Sequence, residues 1–442
     1  MKKEKVFKVR NYPHFDNKKN NYKKYIPYVM NKECVAKHPF FPFIHYTDRR
    51  RKYNGEECKY KEREIYYASH IDRYIYQYYS YLLNERYNRK VKKLGLNRAV
   101  IAYRTNLHKS NIHFAHEVMR YLKEQKEAFI IVSDFSNFFD TLNHKYLKQK
   151  IKYVVEKDSI SIDLYKVLKN VCKFSYIELE DILKEVNIEE KELSKINRFF
   201  EIEEFRKIKK KLLNNNKGDF GIVQGSPISA ILSNIYMIKF DSLINNLITS
   251  HNGIFRRYSD DIFIAIPNIE EGKLICNQIK DLVNSIPNLK LSENKTKYFI
   301  KCDDSIAELN KENLEIINKN AKIDYLGFSY DGNKIKIIEK TVSKFYTKMY
   351  ARVKTINRYS NKLNRNIGRR KIYKQYSHLG ANTKKIKEGN FLSYVNRAKD
   401  IFKEDAEFDR QVRNAWKNLN KKLDNVNKNV KLEYKEKELN AI

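Results

Sequence analysis

Cysteine is scarce in this 442-residue chain and poorly spaced for cross-linking. The five cysteines, at 34, 58, 172, 276 and 302, include no Cys-x-x-Cys pair and are odd in number. That speaks against a zinc ribbon or a disulfide framework and for a reducing compartment. Long apolar runs are missing too. No window approaches a membrane-spanning length, so no transmembrane helix and no membrane partner are expected. Met1-Lys-Lys-Glu-Lys5 leads into no apolar stretch, so no secretory signal is expected, and the cytoplasm is the expected location. Gly/Ser linkers and internal repeats are absent as well. Acidic residues are in short supply: 54 Asp and Glu face 89 Lys and Arg, a formal net charge of +35. An imbalance of that size points to a polyanionic partner, above all nucleic acid.

What is present reads as alternating helices and strands. His38-Pro-Phe-Phe-Pro-Phe-Ile-His45 carries two prolines among aromatics, which predicts an extended, packed segment. From Arg63 to Tyr87 apolar residues recur at three- and four-residue steps, which predicts a helix. Ala99-Val-Ile-Ala-Tyr-Arg104 reads as a short strand. His113 and His116 have only a superficial metal spacing and read as ordinary satisfied histidines. Ala128-Phe-Ile-Ile-Val-Ser133 is a continuous apolar run, hence a buried central strand, and it ends at Asp134. Residues 151–217 read as a charged helical insertion. Asp331-Gly-Asn333 between two apolar runs predicts a hairpin. From about residue 341 the pattern is helical and basic.

The chemistry centres on Phe255-Arg-Arg-Tyr-Ser-Asp-Asp-Ile-Phe-Ile264. Apolar residues run into and out of Tyr258-Ser259-Asp260-Asp261, which reads as a hairpin whose turn carries adjacent carboxylates. Alone, this is equally a surface turn or half of a metal site. Semi-buried carboxylates repel unless a cation lies on them. Asp134 supplies the third carboxylate if its strand adjoins the hairpin, and three carboxylates holding two Mg²⁺ form the two-metal device of nucleotidyl transfer. Further residues suit that reaction. The planar fork of Arg104 suits a triphosphate clamp. Phe139 suits a ring beneath an incoming sugar that excludes a 2′-hydroxyl. Gln224 and Gly225 offer an amide and a Cβ-free backbone for close approach of a base pair or template. Lys295 suits pyrophosphate protonation or binding.

Asp134-Phe-Ser-Asn-Phe-Phe-Asp140, Gln224-Gly-Ser-Pro-Ile-Ser229, Tyr258-Ser-Asp-Asp261, Asn294-Lys-Thr296 and Tyr325-Leu-Gly-Phe328 occur in a fixed order. In these stretches the chain resembles the bacterial reverse transcriptases: group II intron, retron and especially stand-alone defence-associated enzymes. The resemblance covers about 63–332. It implies an α+β right-hand polymerase with fingers, an antiparallel-sheet palm and a helical thumb. It implies Asp134, Asp260 and Asp261 as catalytic metal ligands with the Phe135 carbonyl assisting, two Mg²⁺ ions, and Mn²⁺ as a substitute. Phe139 becomes the sugar gate and Arg104 the triphosphate contact. Arg63 and Arg73 lie near template or nucleotide, Tyr258 and Ser259 near the primer end, and Tyr325, Leu326 and Gly327 in a primer grip. Asp140 reads as structural.

The expected domains are a basic, aromatic extension (1–60), fingers (61–125), palm (126–340, with the insertion at about 151–217) and a basic helical thumb (341–442). The expected reaction adds dNTPs to a 3′-hydroxyl. By likeness to the defence group, a dedicated structured non-coding RNA is the template, DNA the product and protection against phage the biology, with homo-oligomers known among such enzymes. The stretch 38–45, with Tyr66–Arg73 and Ala102-Tyr-Arg104, carries that subgroup likeness. Two alternatives stand beside it: template-independent or protein-primed synthesis, and an RNA-binding, maturase-like protein with a vestigial core.

Overall fold

A computed structural model describes residues 6–17, 22–53, 57–363, 365–381, 389–403 and 407–423. The lysine-rich start and the end of the expected thumb, from 424 on, lie outside the described residues. The largest sheet has six strands, in the order Ile316–Asn318, Ser305–Leu309, Lys297–Cys302, Glu127–Asp134, Asp261–Ile266 and Ile254–Tyr258. Its central strand is the apolar run expected to be buried: Ala128, Phe129 and Ile130 are fully enclosed. Phe299 faces Ile130 in antiparallel register. Among the described residues no helix is long and apolar enough to cross a membrane.

The chain divides into two compact units, and residues 61–125, the expected fingers, are split between them after Asn106. The first unit comprises Met1–Asn106, Ser133–Ile264 and Leu274–Thr296. In it a four-stranded sheet runs Glu64–Tyr67, Phe43–Thr47, Ser175–Glu178, Asn214–Asn215. Phe43–Thr47 pairs antiparallel with Glu64–Tyr67 and parallel with Ser175–Glu178. Behind it Ile44, Ile177, Ile182, Phe15 and Phe200 form one apolar cluster.

Two local expectations are corrected here. The helix predicted from Arg63 begins only at His70, because Glu64–Tyr67 pairs as a strand and Ser69 then caps the helix, its hydroxyl accepting from the Asp72 amide. The helix runs to Lys93 and buries Tyr74, Tyr76, Tyr79 and Tyr87. These rings belong to the core: Tyr76 stacks on Phe43 at 5.9 Å. The stretch 99–104 is no strand. It makes a single bridge, Val100 to Arg257, and then turns at Tyr103, where φ is 61°. The helix Ser229–Ser250 is apolar almost all round, and Ile231, Ile235, Met237, Phe240 and Ile244 are enclosed.

The second unit comprises Leu107–Val132, Ala265–Lys273 and Lys297–Ile442. Its helix Asn111–Glu124 buries the expected stripe of Ile112, Ala115, Val118, Met119 and Leu122. His113 Nδ1 accepts from the Ser110 amide and closes a capping box, while His116 packs edge-on to Phe402, so both histidines are structural. A three-stranded sheet (Ile323–Tyr325, Phe328–Tyr330, Ile335–Ile337) contains the hairpin expected at Asp331-Gly-Asn333. The helices Glu339–Lys362, Arg369–Tyr376 and Phe391–Phe402 follow. Met349, Val353, Ile356 and Ile372 form an apolar cluster within them.

Candidate active site

The central strand ends at Asp134, which is 6% exposed. The Phe135 amide donates to the Asp260 carbonyl at 3.2 Å, and the Ser292 amide donates to the Asp134 carbonyl at 2.8 Å. Backbone bonds therefore tie the Asp134 strand end to the Asp260-Asp261 turn, the adjacency the sequence demanded. The turn is tight because Ser259 adopts the left-handed conformation, φ 63°.

The three carboxylates feel one another. Burial first, then the charges of Asp260 and Asp134, push the Asp261 carboxyl up to about 6, against the opposing pull of Lys295 and Lys61. Asp134 Oδ2 accepts from the Lys295 ammonium, while its Oδ1 is buried without a hydrogen-bond partner. An orphaned buried carboxylate oxygen is costly, and a cation would satisfy it. The donor set thus fits hard divalent ions, which take oxygen ligands. Among the described residues no three acidic, His or Cys side chains already converge as a ligating cluster. Lys295 stands as the positive counter-charge on Asp134.

A cleft of about 680 Å³ opens at this point in the first unit. Phe135, Phe139, Ser259, Asp260 and Lys295 line it, together with Gln224, Gly225 and Arg63. Phe139 is half-buried, its carbonyl accepting from the Ile222 amide at 2.9 Å. The Gln224 side chain donates to the Asp140 carboxylate at 3.2 Å, so Asp140 steadies the amide. Ser259 Oγ lies 3.0 Å from the Tyr103 hydroxyl, and Tyr258 ends the strand before it.

Three expectations change. Arg104 is not free to clamp a triphosphate. It is 4% exposed, and its guanidinium donates to Asn88 Oδ1 (2.7 Å), Asn97 O (3.0 Å), Val100 O (2.8 Å) and Asn97 Oδ1 (2.6 Å). Arg73 hydrogen-bonds Tyr12 and lies beside Arg10, away from the cleft lining. Gly225 is required by the protein itself. At φ +106°, a Cβ there would stand 2.8 Å from the Tyr66 carbonyl. The close neighbour is the strand Glu64–Tyr67, not a base pair.

The sequence reading missed Lys61. It lines the cleft beside Arg63, at the end of the strand Cys58–Lys61, and acts electrostatically on Asp261. The signal was available: Asn54-Gly55 is a strong hairpin dipeptide between polar-aromatic stretches. Tyr325, Leu326 and Gly327 lie in the second unit, where Asn111 Nδ2 donates to the Leu326 carbonyl at 3.0 Å and both Leu326 and Gly327 have positive φ.

An α+β core in which the strand end at Asp134 is bonded to the Asp260-Asp261 turn beside a cleft has the fold of a right-hand polymerase. The chain belongs to the reverse transcriptase (RNA-dependent DNA polymerase) family, whose model matches residues 83–330. Apo telomerase from Candida tropicalis, truncated from its C-terminal domain, is 13% identical at a TM-score of 0.41, over 66% of this chain and 55% of that one. Candida albicans telomerase, in complex with a TWJ fragment of telomeric RNA, is 11% identical at 0.38, over 75% and 53%. The chain spans about half the length of these structures. No curated protein matches the sequence.

Proposed function

We propose that the protein is an RNA-directed DNA polymerase that extends a 3′-hydroxyl with dNTPs. The reading rests chiefly on Asp134 and Asp260-Asp261 meeting through the Phe135–Asp260 backbone bond at the cleft. Asp134, Asp260 and Asp261, with the Phe135 carbonyl, would hold two Mg²⁺ or Mn²⁺ ions. Bound there, such ions activate the attacking hydroxyl and neutralise the leaving pyrophosphate. Lys61 and Arg63 face the cleft and supply the positive charge for a triphosphate in place of Arg104. Lys295, paired with Asp134, would hold or protonate pyrophosphate once released from it. Phe139 lines the cleft and would be the ring that excludes a ribose 2′-hydroxyl.

The substrate side of the proposal is a structured non-coding RNA template and a DNA product, and the net charge of +35 supports such a partner. The defence-group likeness of 38–45, 66–73 and 102–104 supports an antiphage role in the cytoplasm and a homo-oligomeric state. The test is direct. The protein is purified with its bound nucleic acid, supplied with Mg²⁺ and labelled dNTPs, and the product sequenced. A product complementary to the bound RNA is expected. An unrelated sequence surviving RNase pretreatment would favour untemplated or protein-primed synthesis, and no product with RNA retained would favour a maturase-like binder. Asp260→Ala is expected to abolish synthesis and keep the RNA; continued synthesis would overturn the site assignment.

A further inference from the structure

Arg257 is the largest fully buried side chain of the chain's described core, at 0% exposure, and nothing in the reaction described so far uses it. It lies on the strand Ile254–Tyr258, two residues before Ser259. Its guanidinium grips Asp241 with two parallel bonds, Nε to Oδ1 at 2.6 Å and Nη2 to Oδ2 at 2.7 Å. The remaining nitrogen, Nη1, donates to the Ser259 carbonyl at 2.8 Å and to Asn234 Oδ1 at 3.2 Å. Asn234 and Asp241 are seven residues apart on the helix Ser229–Ser250 and so share one face. Asn234 Nδ2 in turn donates to the Ala102 carbonyl at 3.0 Å. The Arg257 backbone is pinned as well, its amide donating to Ala99 O (2.8 Å) and its carbonyl accepting from the Ile101 amide (3.1 Å).

A buried ion pair is weak evidence for stability, since an apolar pair of similar volume often does as well. What an apolar pair cannot do is hold a carbonyl. Lysine cannot do it either while also forking onto a carboxylate. The carbonyl held here belongs to Ser259, whose left-handed backbone an unsupported serine rarely adopts and whose hydroxyl meets Tyr103. Asp260 follows directly. We infer that Arg257, Asp241 and Asn234 are positioning residues, a buried brace that sets the turn and with it the aim of the Asp260 and Asp261 carboxylates. The inference rests on the metal-ligand reading of those carboxylates. Catalytic groups must be held to a fraction of an ångström, and a displacement of about 1 Å costs on the order of 100-fold in rate.

The test uses the full chain with two variants, Arg257→Lys and the apolar double replacement Arg257→Leu/Asp241→Leu. Three readouts are compared: thermal unfolding, Mn²⁺ affinity of the nucleotide-free protein by electron paramagnetic resonance, and kcat against KM. Both variants are expected to unfold cooperatively and to bind RNA as the wild type does. Mn²⁺ binding is expected to weaken about tenfold and kcat to fall about 10- to 100-fold, with KM for dNTP within about threefold. Wild-type kcat and Mn²⁺ affinity in the folded double variant would overturn the inference. Loss of the cooperative transition in both variants would overturn it too, making the pair a folding element. Mn²⁺ binding needs no turnover, so a wild type that binds Mn²⁺ but copies no RNA sinks the proposed function and leaves the brace open to this measurement.

Discussion

Gly225→Ala separates two explanations of one glycine, and the structure sets the size of the effect. The backbone there has φ +106°, a conformation that costs a non-glycine residue about 1–3 kcal/mol. The added methyl would also sit 2.8 Å from the Tyr66 carbonyl, a backbone atom that cannot swing aside. The same strand donates the Tyr66 amide to the Gln224 carbonyl at 2.8 Å, so relieving the clash stretches that bond. Overpacking of this kind costs a further ~1–3 kcal/mol. The sum is about 2–6 kcal/mol of stability, or roughly 4–24 °C in Tm for a unit of this size. Gly218→Ala is the control, since its new Cβ meets nothing closer than 3.5 Å and its effect should stay within about 1 kcal/mol. Thermal and urea unfolding read the stability, and dNTP and template affinity are measured on the folded fraction. A Gly225→Ala protein as stable as the wild type but defective in template binding would refute the reasoning. The glycine would then serve an approaching base pair, as the sequence alone suggested.

Two further outcomes follow from the structure. Arg104→Lys should lose about 2–3 kcal/mol of stability with its four acceptors abandoned, yet leave KM for dNTP unchanged, whereas Lys61→Ala and Arg63→Ala should each raise KM severalfold. A tenfold KM rise in a thermally unaltered Arg104→Lys would restore the clamp. Acid should weaken the fold through His14, which burial lowers to about 4 from 6.5. Because the folded value is the lower one, the unfolded chain takes the proton first. His14 therefore costs nothing above pH 6.5, and stability drains away as pH falls toward 4, by at most about 3 kcal/mol. His14→Gln should flatten that part of a urea-midpoint profile, and an unchanged slope would sink the assignment.

Much of the site was legible because its signals are local. Five consecutive apolar residues, Ala128 to Val132, two positions before Asp134, read as a buried strand or helix, and the turn signature of Tyr258-Ser-Asp-Asp261 is confined to adjacent residues. Where the reading failed, the deciding partners were distant. Whether Arg104 faces a cleft or a cage depends on Asn88 and Asn97 and on a turn at Tyr103, none of which leaves a periodic trace. Residues 63–67 took on the helical period of the tyrosine-rich stretch beyond them, and only pairing with Phe43–Thr47 makes them a strand. Gly225 was recognised as a place where a Cβ is not tolerated, but the neighbour that forbids it lies about 160 residues earlier in the chain.

The charged stretch at 151–217 resembles a removable appendage, yet its strand Ser175–Glu178 lies parallel to Phe43–Thr47, with Ile177 facing Ile44. His45 is clasped by Glu64 on one side (2.6 Å) and by Glu178 on the other (2.7 Å). Excising the stretch to make a minimal enzyme would strip one edge from that sheet, leaving backbone groups open to association with other chains. It would also take away one of the two acids that hold His45, and Ile177 from the apolar cluster behind the Glu64–Tyr67 strand against which Gly225 is fitted. Even the helix Ile202–Leu212, which encloses none of its own residues fully, is no free end, since Phe205, Ile208 and Leu212 pack against that same cluster and the Phe205 ring lies 4.7 Å from Phe15.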